Sequence, residues 1–304
     1  MPLAGRFAPS PTGPLHLGSL ATALASWLDA RANGYAWYVR MEDLDAPREE
    51  PSAAETILEQ LRQHGLTWDH WCLAEDHGST GQRGVLFQRG RLAVYQKVLA
   101  QLIAQGRAYP CSCSRKKLQS AVDYGKASYN PDGEILYPGF CRPSLAAADP
   151  LARPSMNSNR FQDDGMSWRF RNDNGDDFVL KRADGFWAYN FAVVIDDAFQ
   201  DITDIIRGDD LIHAGPRHTA LRKALGYPEP RLMHVPVVRN DLGEKLSKQT
   251  LAMPLRTDNS ETIRLQLECA WSHLELTMPM RWIARVRPTW RRHYREHFHR
   301  LPTY

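Results

Sequence analysis

The sequence of 304 residues lacks several features that would assign it to a specialised class of protein. No apolar run is long enough to span a bilayer, and the first residues lack the basic-then-apolar pattern of a secretory signal, so we expect a cytoplasmic protein. The five cysteines are few and odd in number, which argues against a disulfide framework. The formal net charge of +3 permits a polyanionic partner but does not require one.

An α/β pattern is present from the first residues onward. After the stretch GRFAPSPTGPLHLGSL, the residues Leu20, Leu24 and Leu28 recur with helical spacing, and Asn33-Gly34 predicts the end of that helix. Residues 35–45 then alternate between apolar and polar, as a strand does. Strand, helix and strand at this spacing form a βαβ unit, so the predicted fold class is α/β with a doubly wound parallel sheet.

The rest of the chain is predicted from the same kinds of signal. Helices are expected over 51–65, 92–106 and 218–226, the first with a capping box formed by Ser52 and Glu55. Residues 178–197 predict a hairpin that turns at Asp184-Gly185, and 231–238 predict a strand. The predicted domains are 1–106 and 177–250 as two halves of a catalytic domain, 107–176 as an insertion, and 251–304 as a short helical C-terminal region.

The opening stretch has the composition of an anion-binding loop. Gly13, Gly18 and Ser19 keep the approach to a helix N-terminus clear, where free backbone N–H groups attract phosphate. His16 would donate a hydrogen bond to a phosphate oxygen. A proline-rich turn with an incidental surface histidine is the alternative, and it would be favoured if this motif stood alone.

A second segment, EKLSKQ at 244–249, makes the phosphate interpretation stronger. Lys245 and Lys248, with Ser247 between them, would contact a triphosphate and meet the charge that develops during an in-line displacement. The pair of segments resembles the two signature motifs of class I aminoacyl-tRNA synthetases, HIGH and KMSKS. The segment HLGS departs from that pattern because Ser19 stands where a second histidine is usual.

Further segments resemble the glutamyl-tRNA synthetases in particular. RFAPSPTG, RMEDLD, YNFAVVIDD, IIRGDDL and KLSKQ follow in the order of that family, from residue 5 to about 250. Only 55 residues follow Gln249 (304 − 249), too few for an anticodon-binding domain. The chain is therefore similar to the truncated paralogous family, the glutamyl-queuosine tRNA(Asp) synthetases. This resemblance implies L-glutamate, ATP with Mg²⁺, and tRNA(Asp) bearing queuosine as partners, and we expect a monomer with no membrane partner.

The resemblance also implies a glutamate site. Arg6 and Arg207 would bind carboxylates through their guanidinium forks, and Glu42 would hold the ammonium group. Simple alternatives stay open: Arg207 pairs with Asp209 or Asp210, Glu42 pairs with Arg40, and Tyr189 is a core residue. The predicted glutamate ligands are Arg6, Phe7, Ala8, Pro9, Ser10, Glu42, Tyr189 and Arg207.

Three of the five cysteines cluster in the sequence. Cys111, Cys113 and Cys141 would supply three ligands of a structural zinc ion, which leaves one position open to Asp132, Glu134 or Tyr137. The family resemblance favours Tyr137, and Tyr129 is a further possibility. Three buried cysteines without a metal are the alternative.

Other functions also fit part of the pattern. The chain could be a glutamyl-tRNA synthetase catalytic fragment that charges the tRNA 3′ end, a nucleotidyltransferase of the H-x-G-x fold, or an inactive zinc and RNA-binding module. Residues 281–300 concentrate arginine with aromatic residues and are predicted either to contact tRNA phosphates or to form a solvated helix.

Overall fold

The computed structural model describes residues 3–71, 80–81, 84–130, 133–143, 165–240, 243, 245–246 and 252–276. In these ranges no helix is both long and apolar enough to cross a membrane. The chain divides into two compact units. The first includes residues up to 90, 200–212 and 230 onward, and the second includes 91–199 and 213–229. The four domains predicted from the sequence have other boundaries and stay a prediction.

The described residues form nine strands and seven α-helices. The strands are β1 (Ala4–Phe7), β2 (Ala36–Met41), β3 (Thr80–Gly81), β4 (Val85–Phe87), β5 (Ala108–Cys111), β6 (Ser167–Phe170), β7 (Val179–Lys181), β8 (Asp204–Gly208) and β9 (Arg231–Val235). The helices are α1 (Leu17–Asn33), α2 (Ala53–Gln63), α3 (Leu92–Ala104), α4 (Arg115–Asp123), α5 (Tyr189–Phe199), α6 (Gly215–Leu225) and α7 (Ser260–His273).

The first unit contains a six-stranded sheet in the order β3-β4-β2-β1-β8-β9. All its strands pair in parallel except β3, which is antiparallel to β4. The predicted βαβ unit is confirmed, since β1 and β2 are parallel neighbours joined by α1. Gly34, with φ of 74°, ends α1 in the left-handed conformation that glycine adopts at little cost.

Helix α1 packs on one face of this sheet and forms the main core. Trp37, Val39 and Met41 are fully buried on that face, and Phe7 stacks on Trp37 with ring centroids 6.4 Å apart. Ala270 and Trp271 of α7 belong to the same core, which confirms a C-terminal helix. The apolar side chains of β2 thus provide the surface on which α1 packs.

The predicted capping box at α2 is wrong. Ser52 precedes the helix as predicted, but its φ of 60° places the residue in the left-handed region, and its side chain makes no capping hydrogen bond. An N-cap residue normally has an extended backbone, and the left-handed conformation of Ser52, which the sequence pattern does not encode, departs from that geometry. The end of the helix at Gly65 is as predicted, with φ of 74°.

The second unit contains a three-stranded antiparallel sheet in the order β5-β6-β7. The turn at Asp184-Gly185 forms, and Lys181 bridges to Trp187 across it. The predicted second arm of that hairpin is instead the helix α5. A short apolar run suits a buried helix as well as a strand, and Phe191, Val194 and other α5 residues are buried in this way.

Candidate active site and metal cluster

The loop before α1 presents His16 at the helix N-terminus. His16 is the N-cap residue, and its Nδ1 accepts a hydrogen bond from the backbone N–H of Ser19 at 3.3 Å. An accepting Nδ1 leaves the proton of the neutral ring on Nε2, so Nε2 is a hydrogen-bond donor. The cap therefore fixes both the orientation and the tautomer of the predicted phosphate donor.

Gly18 has no Cβ atom, which allows the side chains of His16 and Val238 to lie close to its backbone. A Cβ atom at this position would lie 3.1 Å from Cε1 of His16 and 3.7 Å from Cβ of Val238. Val238 in turn accepts a hydrogen bond of 2.7 Å from the backbone N–H of Leu246. The segment that contains the HLGS motif thus lies against the segment that contains Lys245 and Leu246.

A second set of contacts joins the segment that contains His16 to the residues that follow the KLSKQ motif in the chain. Leu255 donates its backbone N–H to the carbonyl of Leu15 at 2.7 Å, and His16 forms a β-bridge with Pro254. The buried side chain of Gln60 accepts from the N–H of Leu15 and donates to the carbonyl of Leu255, at 2.7 and 2.8 Å. The described residues on either side of 247–251 are therefore held near the His16 loop, Val238 and Leu246 on one side and Pro254 and Leu255 on the other.

Lys245 is held by an acidic residue. Its ammonium group forms an ion pair with Asp210, and its side chain is about half exposed. Asp210 is the second residue after β8, and Gly208 leaves room for its carboxylate, since a Cβ at Gly208 would clash with Oδ1 of Asp210. The other two predicted residues of this motif, Ser247 and Lys248, lie outside the described residues.

Three buried arginines project from one face of the parallel sheet, opposite the face covered by α1. The strand register pairs Arg6 of β1 with Tyr38 of β2, and Gly5 with Asp204 of β8. Side chains alternate along strands, so Arg6, Arg40 and Arg207 share a face. They are exposed by only 4%, 0% and 4%, near the carboxyl ends of the strands, where open α/β sheets bind ligands.

The loop after β1 connects to the end of β2 beside these arginines. The backbone N–H of Glu42 donates to the carbonyl of Pro9 at 2.9 Å, so the predicted glutamate ligands 6–10 lie next to Glu42. The side chain of Glu42 forms an ion pair of 3.2 Å with Arg40, as the simple alternative proposed. The sequence predicts no role for Arg40 beyond this ion pair, because an arginine in an alternating strand is expected to face solvent.

Arg207 is oriented by a histidine on the neighbouring strand. Its Nε donates to Nε2 of His234 at 3.1 Å, and the two residues are register partners on β8 and β9. Burial, together with the positive charge of Arg207, lowers the pKa of His234 to about 4, so the ring is neutral and can accept this bond. His234 lies in a predicted strand, but no sequence motif distinguishes it.

Tyr189 belongs to the second unit. It is the first residue of α5, is 38% exposed, and contacts the ring of His218 edge-on at 5.8 Å. Nε2 of His218 is 2.9 Å from Oδ1 of Asn190. Tyr189 is therefore a partly exposed residue in an ordered polar cluster, and its role in binding glutamate stays a prediction.

The three predicted cysteines converge in the second unit. The sulfur atoms of Cys111, Cys113 and Cys141 all lie within 4.8 Å of one another, so this cluster can hold a metal ion. The hydroxyl oxygen of Tyr137 lies 3.4 Å from the sulfur of Cys111 and 3.8 Å from that of Cys113. Tyr137 thus completes a group of four potential ligand atoms.

The surroundings of the cluster act differently on its three sulfur atoms. Nε of Arg169 donates to the sulfur of Cys111 at 3.3 Å, and its guanidinium carbon is 3.9 Å from the centre of the Tyr137 ring. Burial raises the pKa of Cys113 to about 11. Burial also acts to raise the pKa of Cys141, but hydrogen bonds from Tyr137 and from the Ser112 backbone outweigh it and lower that pKa to about 6.

The other candidate ligands have partners of their own. The hydroxyl of Tyr129 donates to the side chain of Gln119 at 3.0 Å, and this tyrosine is 49% exposed. Glu134 forms an ion pair of 2.6 Å with Arg217. Asp132 lies outside the described residues, as does the arginine-rich segment 281–300.

The fold and these motifs agree with a comparison against known protein families. Residues 2–137 and 151–264 match the family described as "tRNA synthetases class I (E and Q), catalytic domain". The chain is therefore a class I aminoacyl-tRNA synthetase-like ligase.

Individual relatives narrow this class. The chain is 48% identical to a glutamyl-Q tRNA(Asp) synthetase of Thiobacillus denitrificans, over 83% of this chain and 79% of the relative. It is 43% identical to the protein of that name from Leptothrix cholodnii, over 91% of each chain. The chain belongs to the family of glutamyl-Q tRNA(Asp) synthetases.

A solved structure of a glutamate tRNA ligase also resembles this chain and supports the same class of enzyme. The glutamate tRNA ligase of Elizabethkingia meningosepticum, crystallised with its amino acid, matches with a TM-score of 0.58 and 27% sequence identity. The match covers 82% of this chain and 52% of that ligase, so this chain spans about half the length of the solved enzyme.

Proposed function

We propose that the protein activates L-glutamate with ATP to glutamyl-adenylate and transfers the glutamyl group to the queuosine base in the anticodon of tRNA(Asp). The observation that carries this proposal is the packing of the His16 loop against the Lys245 segment, beside a sheet face that bears buried arginines. The names of relatives at 43–48% identity support the choice of amino acid and acceptor.

Binding of glutamate would use the face that bears the arginines. Arg6 and Arg207 present guanidinium forks suited to carboxylates, while Glu42 presents a carboxylate suited to the ammonium group. Arg207 is held by His234, so its fork is oriented before the substrate arrives. The backbone of residues 7–10 would line the site beside Glu42.

Activation would require positive charge around the phosphates of ATP. An oxygen of the glutamate α-carboxylate attacks the α-phosphorus, the bond to the β-phosphate oxygen breaks, and pyrophosphate leaves. His16 would donate from Nε2 to a phosphate oxygen, and Lys245, together with Lys248, would stabilise the leaving group. Mg²⁺ bound with ATP would supply further positive charge to the pyrophosphate.

The transfer step needs no nucleophile from the protein. A hydroxyl group of queuosine attacks the carbonyl carbon of the anhydride, AMP leaves, and the hydroxyl proton passes to the phosphate or to solvent. Positioning of the two reactants would supply most of the acceleration. We expect the protein to act as a cytoplasmic monomer.

The metal cluster would hold a structural zinc ion. A tetrahedral zinc site separates two sulfur ligands by about 3.8 Å and a sulfur from an oxygen ligand by about 3.5 Å. The sulfur atoms of Cys113 and Cys141 are 3.7 Å apart, and the Tyr137 oxygen lies 3.4 Å from the sulfur of Cys111. These four residues fit the ion, which would brace a region whose apolar core is small.

Two measurements test this function. Pyrophosphate exchange into ATP should depend on L-glutamate, and exchange without any amino acid would favour a nucleotidyltransferase. Labelled glutamate should then appear in the anticodon fragment of tRNA(Asp) after nuclease digestion. Label at the 3′-terminal adenosine would instead identify a glutamyl-tRNA synthetase catalytic core.

A further inference from the structure

We propose that Arg40 is a positioning residue for Glu42, and that through Glu42 it sets the preference for a dicarboxylate that also carries an ammonium group. The inference rests on the proposed function, since it concerns how the same site distinguishes glutamate from a dicarboxylate without an amine. Three features of the Arg40 side chain support this role: its burial, its contacts with Gln200 and Glu42, and its place on the sheet.

Arg40 is fixed at both ends of its guanidinium fork. Nη1 donates to Oε1 of Gln200 at 3.1 Å, and Nη2 donates to Oε1 of Glu42 at 3.2 Å. Arg40 is fully buried, Gln200 is 2% exposed, and the Glu42 side chain is 8% exposed. A planar guanidinium can hold two acceptors in fixed directions, which the single ammonium of lysine cannot do.

Glu42 needs such a partner in order to bind a cation. A buried carboxylate without a nearby positive charge tends to take up a proton, and a protonated carboxyl group attracts an ammonium group only weakly. An ionised carboxylate offers about four acceptor positions, and the contact with Arg40 uses one of them. The backbone of Glu42 is also fixed, through its bond to Pro9.

The position of Arg40 distinguishes it from an ordinary structural ion pair. It shares a sheet face with Arg6 and Arg207 and lies at the carboxyl end of its strand. The chain contains a structural counterpart in the second unit, where Arg91 pairs with Asp196 at 2.6 Å and both side chains are almost fully buried. Arg91→Lys therefore provides a matched control for Arg40→Lys.

The test compares two ligands that differ only in the ammonium group. The KM for L-glutamate is measured by pyrophosphate exchange, and glutarate is measured as a competitive inhibitor of the same reaction. Arg40→Lys should raise the KM for glutamate about tenfold, the scale of one charge-assisted hydrogen bond, and leave the inhibition constant of glutarate within about twofold. Arg91→Lys should leave both constants within about twofold.

A coupling measurement checks that Arg40 acts through Glu42. The double variant Arg40→Lys, Glu42→Gln should bind glutamate no more weakly than Glu42→Gln alone, because the same interaction is already lost. If Arg40→Lys does not fold, Gln200→Leu removes one anchor of the fork and should shift the ratio of the two constants in the same direction.

Each contrary result overturns the inference. Equal weakening of glutamate and glutarate by Arg40→Lys or by Gln200→Leu would mean that Arg40 supports the whole site. Multiplicative effects in the double variant would mean that Arg40 acts independently of Glu42. If the wild-type protein shows no exchange that depends on glutamate, the proposed function itself fails, which is a separate result.

Discussion

Replacing Gly18 with alanine separates the orientation of His16 from the stability of the fold. The added Cβ would lie 3.1 Å from Cε1 and 3.2 Å from Nδ1 of His16, whereas ordinary contacts of this kind exceed about 3.4 Å. The imidazole would have to move by a few tenths of an ångström. Its hydrogen bond from the Ser19 N–H, at 3.3 Å, is already long and would weaken further.

The same substitution favours the helix. Alanine is better than glycine in a helix interior by up to about 0.8–1.0 kcal/mol, which for a chain of 304 residues corresponds to a Tm increase of at most about 1–2 °C. The contact with His16 offsets part of that gain, so we expect Tm to stay equal or to rise slightly. Removing a donor aimed at developing charge costs about 10²–10³-fold in kcat, and a displaced donor should cost about ten- to a hundredfold.

Pyrophosphate exchange and thermal unfolding measured on the same preparation check both parts. The control is His16→Asn, since asparagine is a good N-cap and should keep Tm while removing the imidazole donor. Activity of Gly18→Ala within twofold of the wild type, at an unchanged Tm, would refute the importance of the imidazole orientation.

Three further predictions concern other groups. Asp196→Asn should lower the free energy of unfolding by about 3 kcal/mol, measured by denaturant titration, because it leaves the buried charge of Arg91 without its carboxylate; an unchanged value would contradict this. The folded-state pKa of His234, about 4, lies below its ordinary 6.5, so the contribution of the neutral ring to stability is complete above about pH 6.5 and is lost as the pH falls to 4. His234→Gln should therefore reduce the dependence of Tm on pH over that range. An unchanged dependence of Tm on pH would count against this role of His234. Elemental analysis should find one zinc ion per chain, lost in Cys141→Ser and bound more weakly in Tyr137→Phe, because each substitution removes one of four ligands. Full zinc content with wild-type affinity in Cys141→Ser would exclude the assigned ligand set.

The sheet and its first crossover could be predicted because their signals are local. The alternation around Trp37 and Val39 and the stop at Gly34 each depend on a few neighbouring residues, and the structure has them as predicted. The convergence of the three cysteines could be predicted for a related reason, because they cluster in the sequence and can all bind one metal ion. The resemblance of the HLGS and KLSKQ segments to known motifs contributed what spacing alone could not.

Other features depend on contacts between distant parts of the chain. Helix α5 was predicted as a strand because its apolar run suits either element, and only its surroundings decide between them. The burial of Arg40 depends on Gln200, which lies 160 positions away, and nothing local to β2 indicates it. The orientation of Arg207 by His234 depends likewise on the pairing of β8 with β9.

The most direct test of the proposed function is the transfer of labelled glutamate to two preparations of tRNA(Asp), one with queuosine and one without it. We expect transfer to the queuosine-bearing tRNA and background levels with the other, while pyrophosphate exchange driven by glutamate is the same in both reactions. Equal transfer to both tRNAs would contradict the proposed acceptor and leave only the activation of glutamate standing.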